Sequence, residues 1–418
     1  MRSPACVFLA ASALLAACRN TTEPLRPPTA LAMAGLSTPP TITLTDLGTL
    51  GPGPGFCLLP LSEAIDVNER GLVVGWSDSA CVPRGFVWDN GTMTSLGTVL
   101  PVAVNNHDQI VGLVGDVATG NGIFPFGPTR GFLLEGGTMT DLGTLGGDRT
   151  VVGAVNDHGQ IVGSSATATG ALHAFLWQDG GMTDLGALGG DWSAAIAVND
   201  HGQVVGNSAT ASGATHGFLW LDGVMTDLGT LGGAMSEARA VNDRGQIVGR
   251  SATVTGETHA FLWQDGAMTD LGTLGEPSSD AHSVNNHGQI AGVAGSTTGV
   301  PRVFLWQDGT MSDLGNPQPS NIGFNGLLKM NDRAQIVGAI RFAASLRGGT
   351  CFLWQDGTIT PLGGVGNTVA LNKHDQIVGW VFTGSDPFRH ATMWTVGRPE
   401  NPIAAGAGDS SGATTGGS

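Results

Sequence analysis

The sequence predicts an all-β fold built from repeated four-stranded units. Three observations predict it. An anchor asparagine recurs in register at Asn68, Asn105, Asn156, Asn199, Asn242, Asn285, Asn331 and Asn372. The intervals from Asn156 to Asn285 are 43 residues each; the others are 37, 51, 46 and 41. Each recurrence carries four short apolar runs separated by turn residues. The chain ends are also complementary: residues 42–48, ITLTDLG, read as a fourth strand with no third strand before it, whereas the last unit stops at HATMWTV (390–396) without its fourth. Units of about 40–45 residues with four strands are propeller blades. Completing the last blade with the first strand leaves no open interface, whereas a linear array needs polar caps. The expected architecture is therefore an eight-bladed β-propeller closed by its N-terminal strand, with an open β-repeat array as the alternative.

The best-marked unit, from Ala240 to Gly275, reads AVNDRGQIVGRSATVTGETHAFLWQDGAMTDLGTLG. Its first strand ends at Asn242 and turns through Asp243-Arg244-Gly245 into QIVGRSAT. A Thr- and Gly-rich loop follows, then HAFLWQ, then MTDLG. Asp265-Gly266 between the last two is the preferred type I′ hairpin turn, because both central residues need positive φ. β-branched and aromatic residues fill the runs, and recurrent Gly breaks any helical reading. The two-residue turn sets Trp263 opposite Met268 and Phe261 opposite Asp270. The position two before the Phe is basic in seven units (Arg84, Arg130, His173, His216, His259, Arg302, His390), and five outer strands carry Asp141, Asp184, Asp227, Asp270 and Asp313. Arg replaces His freely there and cannot ligate a metal, so a basic residue bonded to an Asp within each blade is expected, and no metal or cofactor.

Composition sets the address. The chain holds 67 Gly in 418 residues, only two Lys (Lys329 and Lys373), and a net charge of −16. Phosphate backbones are bound by clustered Lys and Arg, and this chain has no such cluster, which excludes nucleic acid as the expected partner. Residues 1–17 (MRSPACVFLAASALLAA) have the early Arg, apolar run and small residues of a secretory signal. Residues 18–40 read as a tether, residues 41–398 as the repeat domain, and residues 399–418 as a Gly/Ser tail. In an oxidising compartment, Cys57 and Cys81, 24 residues apart, are candidates for a disulfide. Cys351 lies in the strand GTCFLW and reads as a small buried hydrophobe.

Two resemblances follow from these motifs. Leu15-Ala16-Ala17-Cys18 resembles the lipobox of bacterial lipoproteins. That implies cleavage before Cys18, acylation of its sulfur and amino group, and membrane anchoring by about three chains at ~0.8 kcal/mol per buried methylene. Arg19 stands where an Asp would imply inner-membrane retention, so the outer membrane, periplasmic or surface-facing, is the expected site. Repeats of the form VNxxGQIVG…HAFLW…MTDLGTLGG resemble the HAF repeats of bacterial extracellular proteins over nearly all of residues 41–397. Units 2 (GFLLEGGTMTDL) and 8 (HATMW) depart from the pattern.

Function is sought where copies differ. The loops leading into the first strands (GDRT, GDWS, GAMSEA, EPSSDA and residues 48–64) and those between second and third strands fall on one face. They place Phe56, Phe124, Phe126 and Trp192 there as candidate ligand-binding residues, suited to stacking on sugar rings. Five residues before the anchor stand Glu63, Glu237 and Asp280; three before it stand Arg239 and His282. Units 5 and 6 are neighbours, so Glu237, Arg239, Asp280 and His282 should cluster at the channel mouth. Glu237, Asp280 and His282 are candidates for general acid–base work, and Arg239 for an anion clamp. The leading expectation is a non-enzymatic binding or scaffolding module for envelope glycan or a protein partner. A polysaccharide-active enzyme and a structural spacer are the alternatives. VNDHGQ also faintly resembles a calcium loop, but it lacks a run of carboxylates.

Overall fold

The computed structural model describes residues 40–51, 61–79, 82–115, 129–275, 277–295, 301–315, 322–324, 328–342, 349–382 and 388–397. Cys18, Phe56, Cys57, Cys81, Phe124 and Phe126 lie outside the described residues, as do the signal segment and the tail. Every helix or strand among the described residues is a strand. Strands follow one another across antiparallel sheets in chain order, as in Gly232–Val241, Ile247–Thr253, Thr258–Gln264 and Ala267–Asp270. Four sheets have four strands; the other two have eight. One larger sheet joins two units through a parallel bridge between Leu172 and Trp192. The other does so through a 14-residue strand, Thr358–Leu371, which pairs at its start with Gly349–Gln355 and at its end with Gln376–Phe382.

Local chemistry accounts for the hairpins. Phe261 faces Asp270 and Trp263 faces Met268 across the turn. Asp265 and Gly266 both take left-handed backbone, with φ of 52° and 85°, which is what a type I′ turn requires. The basic–acidic pairing also forms. The Nδ1 atoms of His173, His216 and His259 lie 2.8–3.0 Å from both carboxylate oxygens of Asp184, Asp227 and Asp270. Arg130 pairs with Asp141 and Arg302 with Asp313.

The core lies between units. Val205 and Leu219 of one unit pack with Ala238, Ile247, Phe261 and Trp263 of the next. Phe86, Phe132, Phe175, Phe218, Phe261, Phe304 and Phe352 are essentially fully buried in this way. Each buried side chain of this size contributes roughly 1.5–3 kcal/mol.

The anchor asparagine is what ties the units together. Asn242 Oδ1 accepts the backbone N–H groups of Arg244 and Gln246, closing the turn. Its Nδ2 donates to Gln246 Oε1 and to the backbone oxygen of Asn285. The same donation to the next anchor runs from Asn68 to Asn105, Asn156, Asn199, Asn242, Asn285, Asn331 and Asn372. It returns from Asn372 to Asn68 across 304 residues.

The N-terminal strand, Thr41–Gly48, pairs antiparallel with Arg389–Gly397. Asp46 stands opposite Thr392, as Asp270 stands opposite Phe261, and its carboxylate is 2.8 Å from His390 Nδ1. Ser62 Oγ donates to Gly48 O at 2.7 Å and accepts the Ala391 N–H at 2.8 Å.

One expectation is corrected. The stretches GDRT, GDWS and GAMSEA are not loops but parts of the ten-residue strands Gly146–Val155, Gly189–Val198 and Gly232–Val241. The reason is a hydroxyl within each stretch. Thr150, Ser193 and Ser236 donate to the carbonyls of Gly143, Gly186 and Gly229 in the preceding unit, which pins the backbone in extended form.

Candidate functional site

Three residues before its anchor asparagine, the first strand of each fully paired unit carries a residue with no partner on the second strand. These β-bulge residues are Ile65, Val102, Gly153, Ile196, Arg239, His282 and Val369. A bulge re-aims the side chain that it carries. Five of the seven are apolar or Gly; Arg239 and His282, in adjacent units, are the exceptions.

Those two organise the expected cluster. Arg239 donates through Nε and Nη2 to the two oxygens of Asp280, both at 2.7 Å. Such a bidentate fork is the strong geometry for this pair. Glu237 accepts from Arg250 Nε at 3.0 Å and lies 3.7 Å from Arg239 Nη2. His282 is buried; its Nδ1 accepts the Leu328 N–H at 3.1 Å and its Nε2 lies 3.7 Å from Asp280. With Nδ1 so used, the neutral ring carries its proton on Nε2, facing the carboxylate. Burial opposes the charge of Asp280, but bonding to His282 and Arg239 and the positive charge of Arg239 outweigh it, holding the carboxyl below its usual range. Glu237, Arg239, Asp280 and His282 are thus brought together as expected. Arg250, on the second strand, completes the cluster and was not anticipated; its signal was its cross-strand position opposite Glu237.

Trp192 is elsewhere. It lies in the strand Gly189–Val198, is half-buried, and its carbonyl accepts from Ser208 Oγ. Ile196 of the same strand is 39% exposed.

Asp66 was also missed, although it is the one acid two residues before an anchor, where most units have Ala. Its oxygens accept the N–H groups of Val67 and, from the next unit, Val104, at 2.9 and 3.0 Å. Burial pushes its carboxyl up to about 6 despite these bonds and the charge of Lys329. A raised carboxyl binds its proton more tightly in the folded state, so its contribution to stability is present below the ordinary value near 4 and is lost as pH rises through about 6. Carboxyl-carbon NMR of Asp66 should therefore give a midpoint near pH 6. A midpoint at the ordinary carboxylate value would refute this environment.

At the other end of the first strands a cavity of about 320 Å³ is lined by the turns Asn156-Asp157, Asn199-Asp200, Asn242-Asp243, Asn285-Asn286 and by Asp332. Its polar side chains are partly committed: Asp157, Asp200 and Asn286 accept backbone N–H groups from Asn106, Asp157 and Asp243. Among the described residues no group of three or more His, Cys, Asp or Glu is placed to hold a metal ion.

No protein-family model matches the chain, and no curated protein matches it. Its solved neighbours are distant. The β-propeller domain of the Trilobed protease from Pyrococcus furiosus is 10% identical with a TM-score of 0.48, over 72% of this chain and 98% of that one. A puromycin-hydrolyzing peptidase of Mycobacterium tuberculosis is 12% identical with a TM-score of 0.47, over 77% of this chain and 58% of that one. TolB from Acinetobacter baumannii is 10% identical with a TM-score of 0.38, over 67% and 76%. At this distance they say nothing of activity, which has to be read from the chain's own geometry.

Proposed function

We propose that this protein is a cell-envelope lipoprotein of the HAF-repeat kind, anchored through Cys18, whose eight-bladed propeller is a non-enzymatic binding or scaffolding module. The closed cycle of anchor asparagines and the pairing of Thr41–Gly48 with Arg389–Gly397 support the eight-bladed architecture. The ligand is envelope glycan or a protein partner, taken on the face where the loops vary.

The observation that carries the non-enzymatic reading is the saturation of the mouth cluster. Asp280 is held by both arms of Arg239, Glu237 is held by Arg250, and His282 Nδ1 is taken by a backbone N–H. A general acid needs a carboxyl held near the working pH, and a general base needs an open lone pair facing substrate. Asp280, kept ionised and bonded, offers neither. The enzyme reading would need this network to break when substrate arrives.

The test uses residues 19–418 expressed without lipid. Retention on insoluble peptidoglycan and immobilised polysaccharides is measured, with the supernatant analysed for released fragments. Retention without release is expected, with at least tenfold weaker capture by Trp192→Ala and little change for Glu237→Gln. Release of fragments that Glu237→Gln or Asp280→Asn abolishes would overturn the proposal in favour of a polysaccharide-active enzyme.

A further inference from the structure

The meeting of the last unit with the first holds an arginine between two tryptophans. Glu63, on the strand Ser62–Val67, is 5% exposed. Its Oε2 accepts from Trp76 Nε1 at 3.2 Å, and its Oε1 lies 2.6 Å from Arg389 Nε. The Arg389 guanidinium stands over two indoles at once, 5.6 Å from the Trp76 ring centre and 5.3 Å from that of Trp380. Both distances fall within cation–π range. Phe382 meets Trp380 edge-on, with ring centres 5.7 Å apart.

We infer that Glu63, Trp76 and Trp380 form a guanidinium-binding site, filled by the chain's own Arg389, that latches the strand receiving the N-terminus. The two tryptophans hold equivalent positions, eight residues after Asn68 and Asn372, and brace the guanidinium from adjacent units. Other units have Leu113, Ser164, Asn207, Arg250, Val293 and Ala339 there, so the aromatic bracket belongs to this seam alone. Arg389 opens the strand Arg389–Gly397, whose free edge takes Thr41–Gly48. A buried carboxylate is costly without a cation, and burial raises the Glu63 carboxyl even with Arg389 and Trp76 present. Emptying the site strands that carboxylate between two units and frees the start of the receiving strand.

The experiment is amide hydrogen exchange on residues 19–418 prepared without lipid. Arg389→Ala should speed exchange in residues 41–48 at least tenfold, while Arg250→Ala, an ion-paired arginine far from the seam, should leave that segment unchanged. Millimolar methylguanidinium should restore protection in Arg389→Ala, and sodium chloride at equal ionic strength should not. Unchanged exchange in 41–48, an equal increase over all units, or the absence of methylguanidinium rescue would each overturn the inference. Should Arg389→Ala not fold, Arg389→Lys decides. It keeps charge but loses the planar stack, so intermediate exchange in 41–48 is expected, and wild-type exchange would overturn the latch.

Discussion

Deleting residues 41–50 is expected to give a protein that aggregates or melts far below the intact chain, with a cost on the order of 5 kcal/mol or more. Three kinds of contact go at once. The strand Arg389–Gly397 loses its ladder from Thr41 to Gly48 and becomes an open edge, a template for pairing with other chains. His390 and Ser62 lose Asp46 and the Gly48 carbonyl. Leu47, 6% exposed, leaves a core that also holds Ala64, Val73, Phe86, Val378 and Met393, so both flanking units lose packing. Size-exclusion chromatography and thermal unfolding measure the outcome. A synthetic peptide of residues 41–50 should restore a monomer with near-native melting, because its Asp46 makes the same Asp–basic pairing that five other outer strands make. A monomeric deletion variant with unchanged melting would mean that the fold does not depend on this strand, and the open array would be the better description.

The pairing of Thr41–Gly48 with Arg389–Gly397 was legible because two independent signals agree: the ITLTDLG segment at one end and the unit lacking its fourth strand at the other. Hairpin register was legible for a local reason, since Asp265-Gly266 admits few backbone geometries and so fixes Phe261 against Asp270. The exchange of His and Arg two residues before the Phe exposed the pairing with Asp in the same way. What stayed hidden involves contacts between units. Ser279 reads as a surface polar residue, yet it donates to Gly272 O and accepts the Ala260 N–H of the preceding unit. Arg239 and His282 were visible as departures from an apolar position, but nothing in A-V-N patterning reveals a bulge, which adds a residue without breaking the apolar run. The proximity of Glu237 and Asp280 to a cation was readable; their saturation was not, because Arg250 comes from the second strand. The seam of Glu63, Trp76, Trp380 and Arg389 needs positions over 300 residues apart to be superimposed.

The bulge explains the glycine of the QIVG motif, and this supplies the second large effect. Gly249 lies opposite Phe261, and an added Cβ would come within 1.9 Å of the Glu237 carbonyl oxygen. The first strand closes down on the second because one extra residue, Arg239, is accommodated between the pairs Ala238–Gly249 and Ala240–Val248. Gly206, Gly163 and Gly379 are crowded alike, with a Cβ meeting a backbone oxygen at 2.0–2.1 Å. Backbone cannot yield as a flexible side chain does, so Gly249→Ala must push the two strands apart. The expected loss is about 3 kcal/mol or more, the upper part of the range for overpacked cores. Two readouts separate this from general damage. The variant should melt several degrees lower, and it should move Arg239 off Asp280, so that the Asp280 carboxyl titrates higher than in the intact protein. Gly181→Ala is the control. Its added carbon would meet only the Gln178 carbonyl oxygen, at 3.7 Å, and other units hold Thr138, Val224 or Ala267 there. It should melt as the intact chain does. If Gly249→Ala did too, the motif would be conserving something other than this close approach, and the bulge would not be what holds Arg239 toward Asp280.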